Sequence, residues 1–258
     1  MLHTATYCNI IIYFSVYCYI QLHIDIYWYI LQHTVKYCYI LLYTTIFCLI
    51  LLYTVTYCYI LLRTALYCYI VLYTAPYFYI LLHTVYSAAY RYILRHNSIY
   101  CYILLHTDLY NYILLHTVIY CYILLYIGTY CFILLHTDTY IYILLYTNIF
   151  CYILSYTATY CYILLHSATY CYIKLYSALY CYILLQTVIY CYILLYTATY
   201  CFILLILLHT DIFKHILFYI DIYCYIQLNN ATYCYIQLHT AIYKCILLST
   251  FIYCYILL

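Results

Sequence analysis

An all-β fold, a solenoid-like stack of short strands, is what this sequence predicts, and three observations predict it. The chain is a ten-residue tandem repeat almost from end to end. Ten is even, so a strand, with side chains alternating at period two, shows the same face in every copy. A helix, at about 100° per residue, would rotate each copy by about 80° from the last and keep no stripe. The copies are also filled with Tyr, Ile, Thr and Val, which suit a pleated surface.

The consensus unit is Thr-Ala-Thr-Tyr-Cys-Tyr-Ile-Leu-Leu-His, numbered here as positions one to ten. Eight copies begin at Thr4 and every tenth residue to Thr74, twelve run from Ser87 to Thr197 and five from Thr210 to Thr250, 25 in all. Two phase breaks of three residues separate these runs, Thr84-Val85-Tyr86 (84-86) and Ile206-Leu207-Leu208 (206-208). Residues 1-258 therefore read as a single tandem-repeat region. Strict alternation puts Thr, Thr, Cys, Ile and Leu of the odd positions on one face and Ala, Tyr, Tyr, Leu and His on the other. Turns are predicted at the polar His-Thr-Ala junctions, such as His106-Thr107-Asp108 and His136-Thr137-Asp138; Gly128 and Pro76 are the lone Gly and Pro. Stacked copies would align identical residues in ladders. With so little charge to keep strand edges apart, self-association or cross-β aggregation is the partner behaviour to expect.

An alternative is a set of hydrophobic α-helices crossing a membrane. The window from Ile189 to Leu208 is apolar enough over about 20 residues. Against it, polar junctions recur every ten residues, Lys and Arg are scattered without the asymmetry that orients spans, and the first of them is Lys36, so no basic flank marks a signal peptide.

Composition excludes the usual classes. Hydrophobic residues make up 73% and charged residues 5%, with one Gly, one Pro and 52 Tyr, a mixture without the polar surface and turn residues of a soluble domain. Disordered chains are polar and poor in aromatics. Tyr-rich strands could stack on nucleobases, but seven scattered Lys and Arg and a net charge of +2 make no basic groove, so no nucleic-acid partner is expected.

The period itself belongs to nucleotides. ACT GCT ACA TAC TGC TAC ATA CTG CTA CAT encodes the consensus and is the ten-base unit ACTGCTACAT written three times. Ten is not divisible by three, so all three forward frames spell the same cyclic peptide, and none contains a stop. Losing one base then inserts three residues and the peptide resumes. Dropping the C of CAT gives CTG CTA ATA CTG CTA CAT, which reads Leu204-Leu205-Ile206-Leu207-Leu208-His209. Substitutions follow codon neighbourhoods: position two holds Ala5, Ser15, Val35, Thr45, Gly128 and all five Asp (Asp25, Asp108, Asp138, Asp211, Asp221), each GCT or one base from it. Position ten mixes His23, Tyr43, Arg63, Gln186 and Asn229, the neighbours of CAT. Position seven, by contrast, is Ile in all 25 copies. A selected core would produce that; so would C-to-T mutation, because ATA has no C.

Constellations that would carry chemistry are absent. Of 19 Cys, 18 occupy position five and Cys245 is displaced by one. Short Cys-x₂-Cys pairs are missing, and the available spacing, Cys101 to His106 or Cys131 to His136, puts the two on opposite faces of a strand. Eleven of the 12 His occupy position ten, where Tyr43, Tyr53 and Tyr126 replace them, an exchange an imidazole ligand would not tolerate; His215 stands apart beside Lys214. The Asp residues are isolated in separate copies, Ser155 and Ser167 have no base at a fixed spacing, and a phosphate loop needs more than Gly128. No catalytic, cofactor-binding or metal-binding residue is assigned, no enzyme is expected, and the sequence names no compartment.

Overall fold

The computed structural model describes residues 2–83, 88–205, 213–228, 231–248 and 251–257. Both phase breaks fall outside them. The described residues are strand almost throughout: β1 (Leu2–Thr74), β2 (Tyr77–Leu82), β3 (Ala88–Leu205), β4 (Phe213–Leu228), β5 (Ala231–Leu248) and β6 (Phe251–Leu257). None of them is helical, so no helix is long and apolar enough to cross a membrane, and the α-helical alternative is not realised. The alternating pattern and strand-forming residues prevail over bulk hydropathy because each copy pairs with the next coil and buries one face inside its own.

Strands of globular proteins usually hold 3–10 residues, whereas β1 holds 73. It can be that long because it coils and pairs with itself. Tyr7 stacks on Tyr27 and Tyr37 on Tyr57, so the chain returns to register after 20 residues, two copies of the repeat. The pairing is parallel and residue-matched, with Tyr57 opposite Tyr77 and Ile60 opposite Ile80. This is a β-solenoid. Across each phase break the offset becomes 23 and the repeat still matches: Tyr67 pairs with Tyr90 and Ile70 with Ile93, and beyond the second break Ile193 pairs with Ile216. Three added residues thus leave like opposite like.

The chain divides into two compact units, Met1–Tyr130 and Cys131–Leu258. Each has the same interior, a set of columns running across the strands. Position seven is the deepest: Ile40, Ile60 and Ile80 in the first unit and Ile143, Ile163 and Ile183 in the second are fully buried. Cys of position five and Leu of position nine flank it, as at Cys58 and Leu62 or Cys161 and Leu165.

Strict alternation fails at the junctions, and here the face assignment is corrected. Position two, expected outside, points inward: Val35, Val55, Ala65 and Ala75 are buried, as are Val118, Ala158 and Ala198. Positions one and three, expected inside, lie on the outer side or partly so, as at Thr54, Thr56, Thr157 and Thr159. Two residues in a row face outward on each side of position two, which is how the strand turns a corner around a small inward side chain. The predicted His-Thr-Ala junctions are those corners. Pro76 sits at one of them, outside the β1 and β2 ladders, where its missing N–H costs nothing; its carbonyl accepts from Ile99 N–H at 3.1 Å and Tyr100 N–H at 2.8 Å.

Candidate functional site

Chemistry-bearing side chains occur in three settings: the thiol columns inside, the polar residues that interrupt the core, and the aromatic columns outside. Each follows from repeat position.

Position five builds the thiol columns. Cys18, Cys38 and Cys58 follow one another at offsets of 20 in the first unit, and Cys131, Cys151, Cys171 and Cys191 do so in the second, all buried. Neighbouring thiols hydrogen-bond along the column, and with burial this pushes the Cys48, Cys161 and Cys171 thiols well above the usual range. Such thiols are protonated and poor nucleophiles. Among the described residues 18 cysteines stand outside any disulfide, and no three His, Cys, Asp or Glu converge as a metal site would require. The spaced pair Cys131 and His136 is split, the thiol buried and the imidazole exposed. The displaced Cys245 stands opposite Tyr225 at position six and is exposed.

The columns are interrupted without regard to size or charge. Position five is Trp28, Phe78, Arg91, Asn111, Ile141 and Lys214 in six other copies, all of them buried, and the exposed Lys244 in a seventh. Arg95 and Ser155 occupy position nine, and Asp138 and Asn148 position two, also buried. Some of these find partners. The Gln32 amide nitrogen donates to Cys18 Sγ at 2.9 Å, and Cys38 Sγ donates to its oxygen at 3.0 Å. Arg95 Nη2 donates to the Ala75 carbonyl and its guanidinium lies 4.4 Å from the Phe78 ring centre. Burial lowers the Arg95 pKa, and Cys101, which faces the neighbouring Cys121 thiol and Arg95, is drawn down to about 7. Others find none: both amide atoms of Asn111 and of Asn148, and the hydroxyls of Thr45 and Ser155, are buried without a hydrogen-bond partner. A buried unsatisfied polar group costs about 1–3 kcal/mol. Of the Asp residues, Asp25, Asp108, Asp211 and Asp221 lie where no side chain is described, so Asp138 is the one the structure places, inside a corner.

Outside, positions four, six and ten build ladders of rings. Tyr17, Tyr37, Tyr57, Tyr77 and Tyr100 form one position-four column, with ring centres 4.7–5.3 Å apart and planes within 12° of parallel. Tyr19, Tyr39, Tyr59, Tyr79 and Tyr102 form the position-six column beside it, at 4.7–5.2 Å. Desolvation, and then the neighbouring phenols, raise the pKa of Tyr59 and Tyr102, so these hydroxyls stay protonated. The ladder also explains how His and Tyr interchange at position ten. His33 stacks on Tyr53 at 4.6 Å and 6°, as one phenol would on another. His215, the histidine out of place, is a rung of a position-six column between Tyr192 at 4.9 Å and Tyr235 at 4.6 Å, and burial lowers its pKa.

Sequence reasoning missed the pairing of these columns into grooves, because it treated each copy alone and the grooves exist only when copies stack. The signal was present in the Tyr-Cys-Tyr tripeptide, which sends two rings outward on either side of an inward thiol. No protein-family model, no curated protein and no solved structure matches this chain.

Proposed function

We propose that this chain carries no evolved biochemical activity and that its peptide repeat is the translation of a ten-base DNA tandem repeat. The observation that carries the reading is the tolerance of the core. Asn111 and Asn148 sit buried with no hydrogen-bond partner, at positions five and two, where Cys and Ala are the commonest residues. A sequence filtered for packing would have lost such residues, whereas unfiltered base changes, two of them from GCT or TGC to an Asn codon, accumulate in the columns regardless. What the folded chain does is physical: an apolar β-solenoid with few charges associates with itself. Strand β6 pairs with β5 along one edge, and its Cys254 and Ile256, core residues by position, are exposed at 38% for the isoleucine. A further copy would cover them.

A second reading, a structural repeat protein with a selected Tyr/Ile core, is favoured by one observation, the full burial of Ile at position seven in copy after copy. The coding strand separates the two. Under the proposal, third-codon positions keep the ACTGCTACAT rhythm as faithfully as first and second positions, and the rhythm runs on past the stop codon. Silent sites that scatter while the residues persist would overturn it.

A further inference from the structure

The paired outer ladders of each unit enclose a groove, and the groove has a shape that selects a ligand. In the first unit it runs from Tyr17 and Tyr19 at one end to Tyr100 and Tyr102 at the other and encloses about 560 Å³. Its walls are the position-four and position-six rings. Its floor is the backbone of the inward residues between them, Cys58 and Phe78 among them. Five rungs at a strand spacing of about 4.8 Å make a trough about 19 Å long. Residues two apart on a strand place the ring centres of the two walls about 7 Å apart, and because each ring stacks on the next along its own column, a flat ligand lying along the trough meets ring edges and phenol groups.

The walls also have a preference of charge. The phenol oxygens beside the trough are electron-rich and accept from a cationic donor. The chain itself demonstrates this on a neighbouring ladder of the second unit, where the Lys174 ammonium lies 4.7 Å from the Tyr176 ring centre and 5.3 Å from Tyr196. Its pKa is raised, first by its hydrogen bond to Tyr176. Among the described residues the side chains lining the first unit's groove are uncharged, with the Lys36 ammonium 5.8 Å from the Tyr37 ring centre of one wall, and the corresponding groove of the second unit, about 620 Å³, has Lys244 at one end.

The geometry points to a binding site for elongated, planar, cationic aromatic compounds, lying in the first unit's tyrosine groove with the long axis across the strands. Ligand length decides affinity, because each additional rung adds ring contact on both sides. A compound reaching three steps, about 15 Å at this spacing, gains most of it.

Thioflavin T, a flat cationic rod, is the probe, titrated into the full chain at a concentration where sedimentation shows no assembly. Its fluorescence is expected to rise and saturate. Tyr59→Lys, which places a cation in the middle of the groove, is expected to weaken binding at least tenfold, and Tyr53→Lys on the position-ten ladder to leave it within twofold. Should Tyr59→Lys lose its β circular dichroism, Tyr59→Leu, which keeps an apolar strand residue and removes the ring, is read instead and is expected to weaken binding about fivefold. Benzyltrimethylammonium, a one-ring cation, is expected not to compete at concentrations that displace a three-ring cation. Equal binding by the groove and position-ten variants overturns the inference. So does fluorescence confined to sedimentable material, which would place the dye on assemblies and leave the origin of the repeat untouched.

Discussion

Two buried columns of the same solenoid have opposite histories. At position seven Ile is present in every copy, and its described side chains inside the stack are fully buried. At position five Cys is buried almost as deeply, at 3–4% for Cys58, Cys101 and Cys161, yet Trp, Phe, Arg, Asn, Ile and Lys replace it in other copies. Burial is nearly equal and tolerance is not, so burial alone does not account for what persists. A C-to-T bias does not separate the two columns either, because ATA has no C and the one C of TGC becomes T without changing the residue. The interior teaches that depth in a fold and constancy in a sequence can have separate causes.

Mutations sharpen that contrast. The largest effect is expected at position seven, where Ile163→Ala opens a cavity in a close-packed column and should cost about 2–5 kcal/mol in urea unfolding. Next comes a gain: Asn148→Val removes a buried amide with no partner from a position that holds Val in other copies, and should stabilise by about 1–3 kcal/mol. A destabilising Asn148→Val would mean the amide is paired in solution and would weaken the case for an unfiltered core. Cys161→Ala removes roughly one methylene-sized group, and a loss of about 1 kcal/mol is expected. If it matched the Ile163→Ala loss, position five would be as demanding as position seven, and mutation alone would not explain its drift.

Smaller effects lie outside. Burial holds the folded His215 imidazole below its ordinary value of 6.5, so the unfolded chain takes up the proton first. Its contribution is therefore intact above pH 6.5 and is lost as pH falls below that value. Thermal melts between pH 8 and pH 5 should show this decline, and His215→Tyr, which completes the ring column, should flatten it. Last, His33→Tyr exchanges one stacked ring for another on the outer ladder and should change stability by less than about 0.5 kcal/mol.

Much of this fold was legible in the sequence for a local reason. An even period and alternating side chains send Cys, Ile and Leu to one face and Tyr, Tyr and His to the other, and those assignments match the burial of Cys58, Ile60 and Leu62 against the outward Tyr57 and His33. The solenoid class follows as well, since identical copies pair most simply with themselves. The corner at position two was not legible: Ala, Val, Asp and Asn follow there with no shared preference, and only closure of the coil turns them inward. Of the candidate site, the separation of Cys131 from His136 could be read from their spacing, while the grooves between tyrosine columns could not, because they need neighbouring coils.

By itself the sequence determined strand, register and the identity of each column, because side-chain alternation and like-on-like stacking are properties of one copy and its repeat. The tertiary structure alone decided that two copies make one coil. A peptide of period ten cannot say whether it closes after one, two or three units. That depends on how inward Ile, Cys and Leu fill the space between facing strands, and the 20-residue offset from Tyr57 to Tyr77 records the answer.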